Sequence, residues 1–121
     1  MVPFSDLLPE RGERKETVMI SQLRIYTIKA GSMDEWLKLF YGQLVPIHRD
    51  QGLRLDGVWV NTEADEFVWI RSFEDEAEMA AKMDYYTASP ARKAVGDLPH
   101  QYIEKTDVRI LRSVNAPAGG S

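Results

Sequence analysis

The chain has 121 residues, enough for one hydrophobic core and not for two. Hydrophobic residues make up 44% and charged residues 28%, the balance of a folded globular domain, and the absence of cysteine excludes disulfides and thiolate metal sites, so a reducing cytoplasm is the natural compartment. A formal net charge of -4 argues against nucleic acid, no stretch could span a bilayer, and the N-terminus carries no apolar run of signal-peptide length.

Residues 1–18 hold two prolines and mixed charge without periodicity, and read as a flexible extension. Residues 114–121 read as a flexible tail, which leaves one domain over residues 19–113. Its first predicted element is a strand over residues 19–28, turned by "KAGS" into a helix. Ser32 and Glu35 have capping-box spacing. Met33, Trp36, Leu37, Phe40, Leu44 and Ile47 then recur at three- and four-residue steps, one apolar stripe. Gly42 and Pro46 interrupt that stripe, and because proline lacks an N–H and crowds the carbonyl four residues back, a kink is expected. Gly52 suits the helix exit.

A strand over residues 53–61, the turn "TEAD" and the strand "EFVWIRSF" read as an antiparallel hairpin. "EDEAEMAAKMDYY" opens a second helix with carboxylates at its positive end and an inward stripe of Met79, Ala80, Met83 and Tyr86. Ser89, Pro90 and Gly96 have the cap, first-turn and exit positions of a short further helix. His100 reads as a loop residue before a last strand over residues 102–112. The order β-α-β-β-α-β implies an α+β, ferredoxin-like fold: a four-stranded antiparallel sheet with two helices on one face.

Alternation divides each strand into two faces. Leu23, Ile25 and Thr27 oppose Arg24, Tyr26 and Ile28; Val68 and Ile70 oppose Phe67, Trp69 and Arg71; Val58 and Val60 oppose Leu55, Gly57, Trp59 and Asn61. The β-branched sets suit the helix side, which puts Arg24, Tyr26, Trp59, Phe67, Trp69 and Arg71 on the open face. Aromatic side chains in that number need a cover. RNA is one, since the RNA-recognition module shares this strand order, but its basic third-strand signature is replaced by "ADEF". A second copy of the chain is the better cover, the two sheets closing a shared barrel.

These residues carry a resemblance. "QLRIYTIKAGSMDEWLKLF", "VPIHRDQG", "GVWV", "EFVWIRSFED" and "TASPARKAV" resemble, in order and spacing, the NIPSNAP family within the dimeric α/β-barrel superfamily. The likeness covers about residues 20–96 and is most telling at Leu23-Arg24-Ile25-Tyr26 and Pro46-Ile47-His48. It implies a homodimeric α/β barrel and little about reaction, because fold alone does not give function. Where members often carry a His-Leu-Trp run, this chain has Trp69-Ile70-Arg71, so chemistry of that histidine does not carry over.

The candidate ligand-binding residues are therefore Arg24, Tyr26, His48, Trp59, Trp69 and Arg71. The arginines could receive an anionic group while the rings grip an aromatic or aliphatic body; alternatively each guanidinium pairs with an acid or stacks on a tryptophan as filled core. His48, beyond the Pro46 kink, could act as acid or base near neutral pH, or be a surface histidine at the negative helix end. No cofactor and no metal is expected. The expected partners are a second copy and a small acidic or aromatic molecule, with no nucleic acid and no membrane. Two functional classes remain: a small-molecule protein, extending to a cofactor-free oxygenase, cyclase or isomerase, and a non-catalytic binding or scaffolding dimer. The volume of the cavity separates them.

Overall fold

The structure, a computed structural model, describes residues 19–114. The expected extension over residues 1–18 and all but the first residue of the expected tail lie outside that range. Four strands, β1 (Ile20–Ile28), β2 (Arg54–Val60), β3 (Glu66–Phe73) and β4 (Ile103–Arg112), form one antiparallel sheet in the order β2-β3-β1-β4. Central β1 pairs with β3 and β4, which matches the ferredoxin-like arrangement read from the element order. Among the described residues no helix is long and apolar enough to cross a membrane.

The first helical arm runs as α1 (Met33–Leu39), a π-turn over Phe40–Leu44, and α2 (Val45–Asp50). The expected break at Gly42 and Pro46 takes this form. Pro46 cannot donate to the carbonyl of Gly42, and the wider turn just before α2 relieves the crowding without ending the helix. The turn also keeps the stripe in phase, with Trp36, Leu39, Phe40, Leu44, Ile47 and His48 all buried. The expected capping box does not form, because the Ser32 side chain makes no cap hydrogen bond. A reciprocal cap closes the second arm instead. At the start of α3 (Glu76–Ala88) Asp75 Oδ1 accepts from the Glu78 N–H at 2.7 Å, and Glu78 Oε1 accepts from the Glu74 N–H at 2.7 Å. Of that helix's expected inward stripe Tyr86 is buried, Met79 and Met83 are half-buried, and Ala80 is exposed.

Ser89 caps α4 (Pro90–Val95) as read, and Gly96 leaves it with φ at +63°, a region that favours glycine. A 3-10 turn, Leu98–Gln101, carries His100 at the place read as a loop.

One expectation is overturned. Arg24, Tyr26, Phe67, Trp69 and Arg71 do not lie on the open face; they point to the helices. Tyr26 meets the Trp36 ring at 5.6 Å between centroids, Phe67 meets Phe40 at 4.7 Å, and Trp69 meets His48 at 5.3 Å. The large rings fill the thick gap between sheet and helices, whereas the β-branched residues are spread over the other face. Leu23, Ile25, Val68 and Ile70 lie there, half-buried.

Trp59 departs from its group. A register shift between Leu55 and Gly57 changes the phase of β2, so Val58 and Leu55 turn inward and Trp59 pairs with Val68 on the open face. Its ring, 52% exposed, lies over Gly57, where a Cβ would overlap it.

Candidate functional site

The inward residues of β1 and β3 form one wall of a cavity of about 470 Å³ between sheet and helices. Arg24, Tyr26, Trp69 and Arg71 supply the sheet side; Trp36, Leu44 and Tyr86 supply the helices. Its outer part is built from Arg92 and Lys93 of α4, Asp97 and His100. Strand alternation makes this possible, since residues 24 and 26 on β1 stand directly opposite 69 and 67 on β3.

Arg71 organises the deep end. Only 6% exposed, it donates from Nε to Gln22 Oε1 at 2.6 Å and from a terminal N–H to His48 Nε2 at 3.0 Å. Its guanidinium carbon lies 4.9 Å from the centre of the Trp69 ring and 5.4 Å from that of Tyr86. All four partners are neutral. Burial, and then the nearby Arg24, lower its pKa to about 10, which leaves it cationic at neutral pH. Among the described residues no ion pair involves Arg24, Arg71, Arg92 or Lys93.

His48 is 1% exposed and stands behind Arg71 rather than in the cavity wall. Its Nδ1 lies 2.7 Å from the Leu44 carbonyl oxygen, so Nδ1 carries the proton and Nε2 accepts from Arg71. Burial lowers its pKa to about 4; the Leu44 carbonyl works against that, and Arg71 reinforces it. The reading of a histidine titrating near neutral pH, and that of a surface histidine, are both corrected. It is a buried neutral ring with both nitrogens engaged.

Arg24 is half-buried and donates from Nε to the Tyr26 hydroxyl at 2.9 Å. The indole N–H groups of Trp36 and Trp69 are buried without a hydrogen-bond partner, and both rings line the cavity. Together these give a half-enclosed space with aromatic walls and cationic groups, suited to a guest that supplies an apolar body and negative charge. Five of the six candidate residues are thus brought together, and Trp59 is not. Sequence reasoning missed Tyr86, Arg92 and Lys93. The signal was present: Tyr86 belongs to the inward stripe of α3, and α4 begins at Ser89, so its cations must follow close behind. Among the described residues no three of His, Cys, Asp or Glu are grouped as metal ligands would be.

The family model for NIPSNAP matches residues 21–117. No curated protein matches the sequence. Among solved structures the chain is similar to an uncharacterized NIPSNAP domain protein from Burkholderia xenovorans, at 24% identity and a TM-score of 0.73, over 78% of this chain and 94% of that one. It is similar to a NIPSNAP family protein from Agrobacterium tumefaciens at 24% identity and a TM-score of 0.71, over 77% and 90%. A conserved protein from Methanosarcina mazei shares the fold at 18% identity and a TM-score of 0.64, over 81% and 95%. With the match running through nearly the whole described domain, the chain belongs to the NIPSNAP family.

Proposed function

We propose that this protein binds a small anionic molecule with an aromatic or apolar body in the cavity between sheet and helices. The observation that carries the reading is Arg71, a buried cation whose partners among the described residues are all neutral. A buried charge is costly unless it is paired, and here the remaining donors of the guanidinium need an acid from outside. The volume supports the same reading, because a filled barrel core has no space of about 470 Å³ beside its arginines.

Binding is favoured over turnover as the primary role. The histidine expected as acid or base has both ring nitrogens committed, to Leu44 and to Arg71. A cofactor-free reaction in this cavity would depend on its phenols, indoles and guanidiniums. A cysteine-free chain fits a reducing compartment such as the cytoplasm.

Native mass spectrometry of protein purified without unfolding tests the site. Wild-type protein is expected to retain an acidic small molecule, and Arg71→Met to lose it, with affinity down by about a hundredfold. Retention of the same mass by Arg71→Met at equal occupancy would remove the anion role.

A homodimer belongs to the same proposal, its contact still on the face away from the helices but made by a different set of residues. Leu23, Ile25, Val68 and Ile70 make an apolar field there with Trp59 at its edge. A row of apolar side chains on an uncovered sheet is better buried, and a two-fold copy of the same face covers it. Sedimentation at micromolar concentration is expected to give the dimer mass, and Val68→Asp the monomer mass, because like charges would face each other across the axis. A wild-type monomer at that concentration refutes this arrangement.

A further inference from the structure

Three arginines reach the cavity from three elements: Arg24 from β1, Arg71 from β3 and Arg92 from α4. They alternate with rings. Arg24 and Arg71 lie 5.9 and 4.9 Å from the centre of the Trp69 ring, and Arg71 and Arg92 lie 5.4 and 6.0 Å from that of Tyr86. Two adjacent guanidinium carbons can therefore be no farther apart than the sum of their distances to the shared ring. Lys93 adds a further cation at the mouth, and Asp97 is the sole carboxylate of the lining.

Trp69 and Tyr86 each lie within cation–π distance of two guanidiniums. That holds like charges close together without a carboxylate between them. One monoanion seated at Arg71 would leave the remaining arginines and Lys93 with little beyond Asp97 as counter-charge. The guanidiniums that share Tyr86 instead offer two seats, a deep one at Arg71 with Arg24 and an outer one at Arg92 with Lys93. Arg92 is held in place there by donating to the Gly96 carbonyl oxygen at 3.2 Å.

We infer that the cavity selects ligands bearing two separate negative groups, a dicarboxylate on a small ring or chain, over monocarboxylates of the same body. The deep seat takes the first charge and Arg92 with Lys93 takes the second. This inference rests on the anion-binding reading of the same cavity and adds the charge of the guest. The two seats have different structural grounds: Arg71 is fixed by Gln22 of β1 and His48 of α2, whereas Arg92 belongs to a short helix at the rim.

The test is calorimetric titration with three probes at about 150 mM salt, where exposed charges are screened and enclosed ones are not. The probes are benzoate, benzene-1,3-dicarboxylate and phenyl phosphate at mildly alkaline pH. Benzene-1,3-dicarboxylate is expected to bind about tenfold tighter than benzoate, the gain of one charge-assisted contact. Phenyl phosphate, with both charges on one group, is the control, and binding tighter than that of the dicarboxylate would overturn the two separate seats. Arg92→Ala is expected to reduce the dicarboxylate-to-benzoate ratio below about threefold, while Arg92→Lys keeps most of it; thermal unfolding checks that both variants are folded. If benzoate binds as tightly as the dicarboxylate, or if Arg92→Ala leaves the ratio unchanged, the two-charge inference fails. If Arg71→Met still weakens all probes in that case, the anion site itself stands. Failure of all three probes to bind, or binding indifferent to Arg71→Met, overturns both.

Discussion

Phe67→Ala is expected to lower stability by about 3–5 kcal/mol, a large part of what holds a domain of this size together. The ring is fully buried at the meeting point of sheet and helices. It stands 4.7 Å from Phe40, 5.4 Å from Trp36 and 6.2 Å from Tyr26 between centroids. Truncation removes these contacts and leaves a void that rigid neighbours on two layers cannot close. Urea unfolding followed by circular dichroism should show the midpoint falling at an unchanged slope. Trp59→Ala supplies the contrast, with an expected cost below about 1 kcal/mol in the monomer, because its ring is half in solvent. Equal losses at the two positions would contradict the assignment of faces.

The second large effect is on pH dependence. His48 has a folded pKa of about 4 against an ordinary 6.5, held down first by burial. The unfolded chain therefore takes up a proton that the fold resists, and stability falls as pH drops. The contribution is fully present above about pH 6.5, is lost progressively below it, and levels off below about pH 4, a total of about 3 kcal/mol. The charges facing the ring, Arg71, Arg24 and Arg92, act in the same direction. Carboxylates titrate over part of this range as well, so the measurement is the difference between wild type and His48→Gln. That difference is expected to shrink by about 3 kcal/mol between pH 6.5 and 4. A difference flat with pH would mean that the ring accepts a proton in place.

The order of elements was legible because their signals are local. "EFVWIRSF" is strand β3 from its first residue to its last, and Ser89-Pro90 opens α4 as its chemistry dictates. Alternation also sorted β1 and β3 correctly into two faces. It could not say which face the helices cover, because both are apolar: one carries large rings and the other β-branched chains. Matching the β-branched sets to the helices made the ring face, with Arg24 and Arg71, look like the outer one. The helices cover it all the same, since an arginine can line a cavity as well as a surface. Trp59 stays on the open face as read, but Leu55, grouped with it by alternation, turns inward beside Val58 because of a register shift next to Gly57 that no period-two pattern contains. His48 carried no sign of its fate either, since its burial depends on Trp69 and Tyr86 closing over it from the sheet and from α3.

The neutral clamp around Arg71 has a practical corollary. The histidine behind it stays uncharged above about pH 4, and the guanidinium keeps its proton up to about pH 10. The innermost compartment therefore behaves as a fixed electrode throughout the acidity range of living cells, with no internal switch to turn it off. Any sensitivity to acidity in the uptake of a guest would then be inherited from the guest, with its break at the guest's own ionisation.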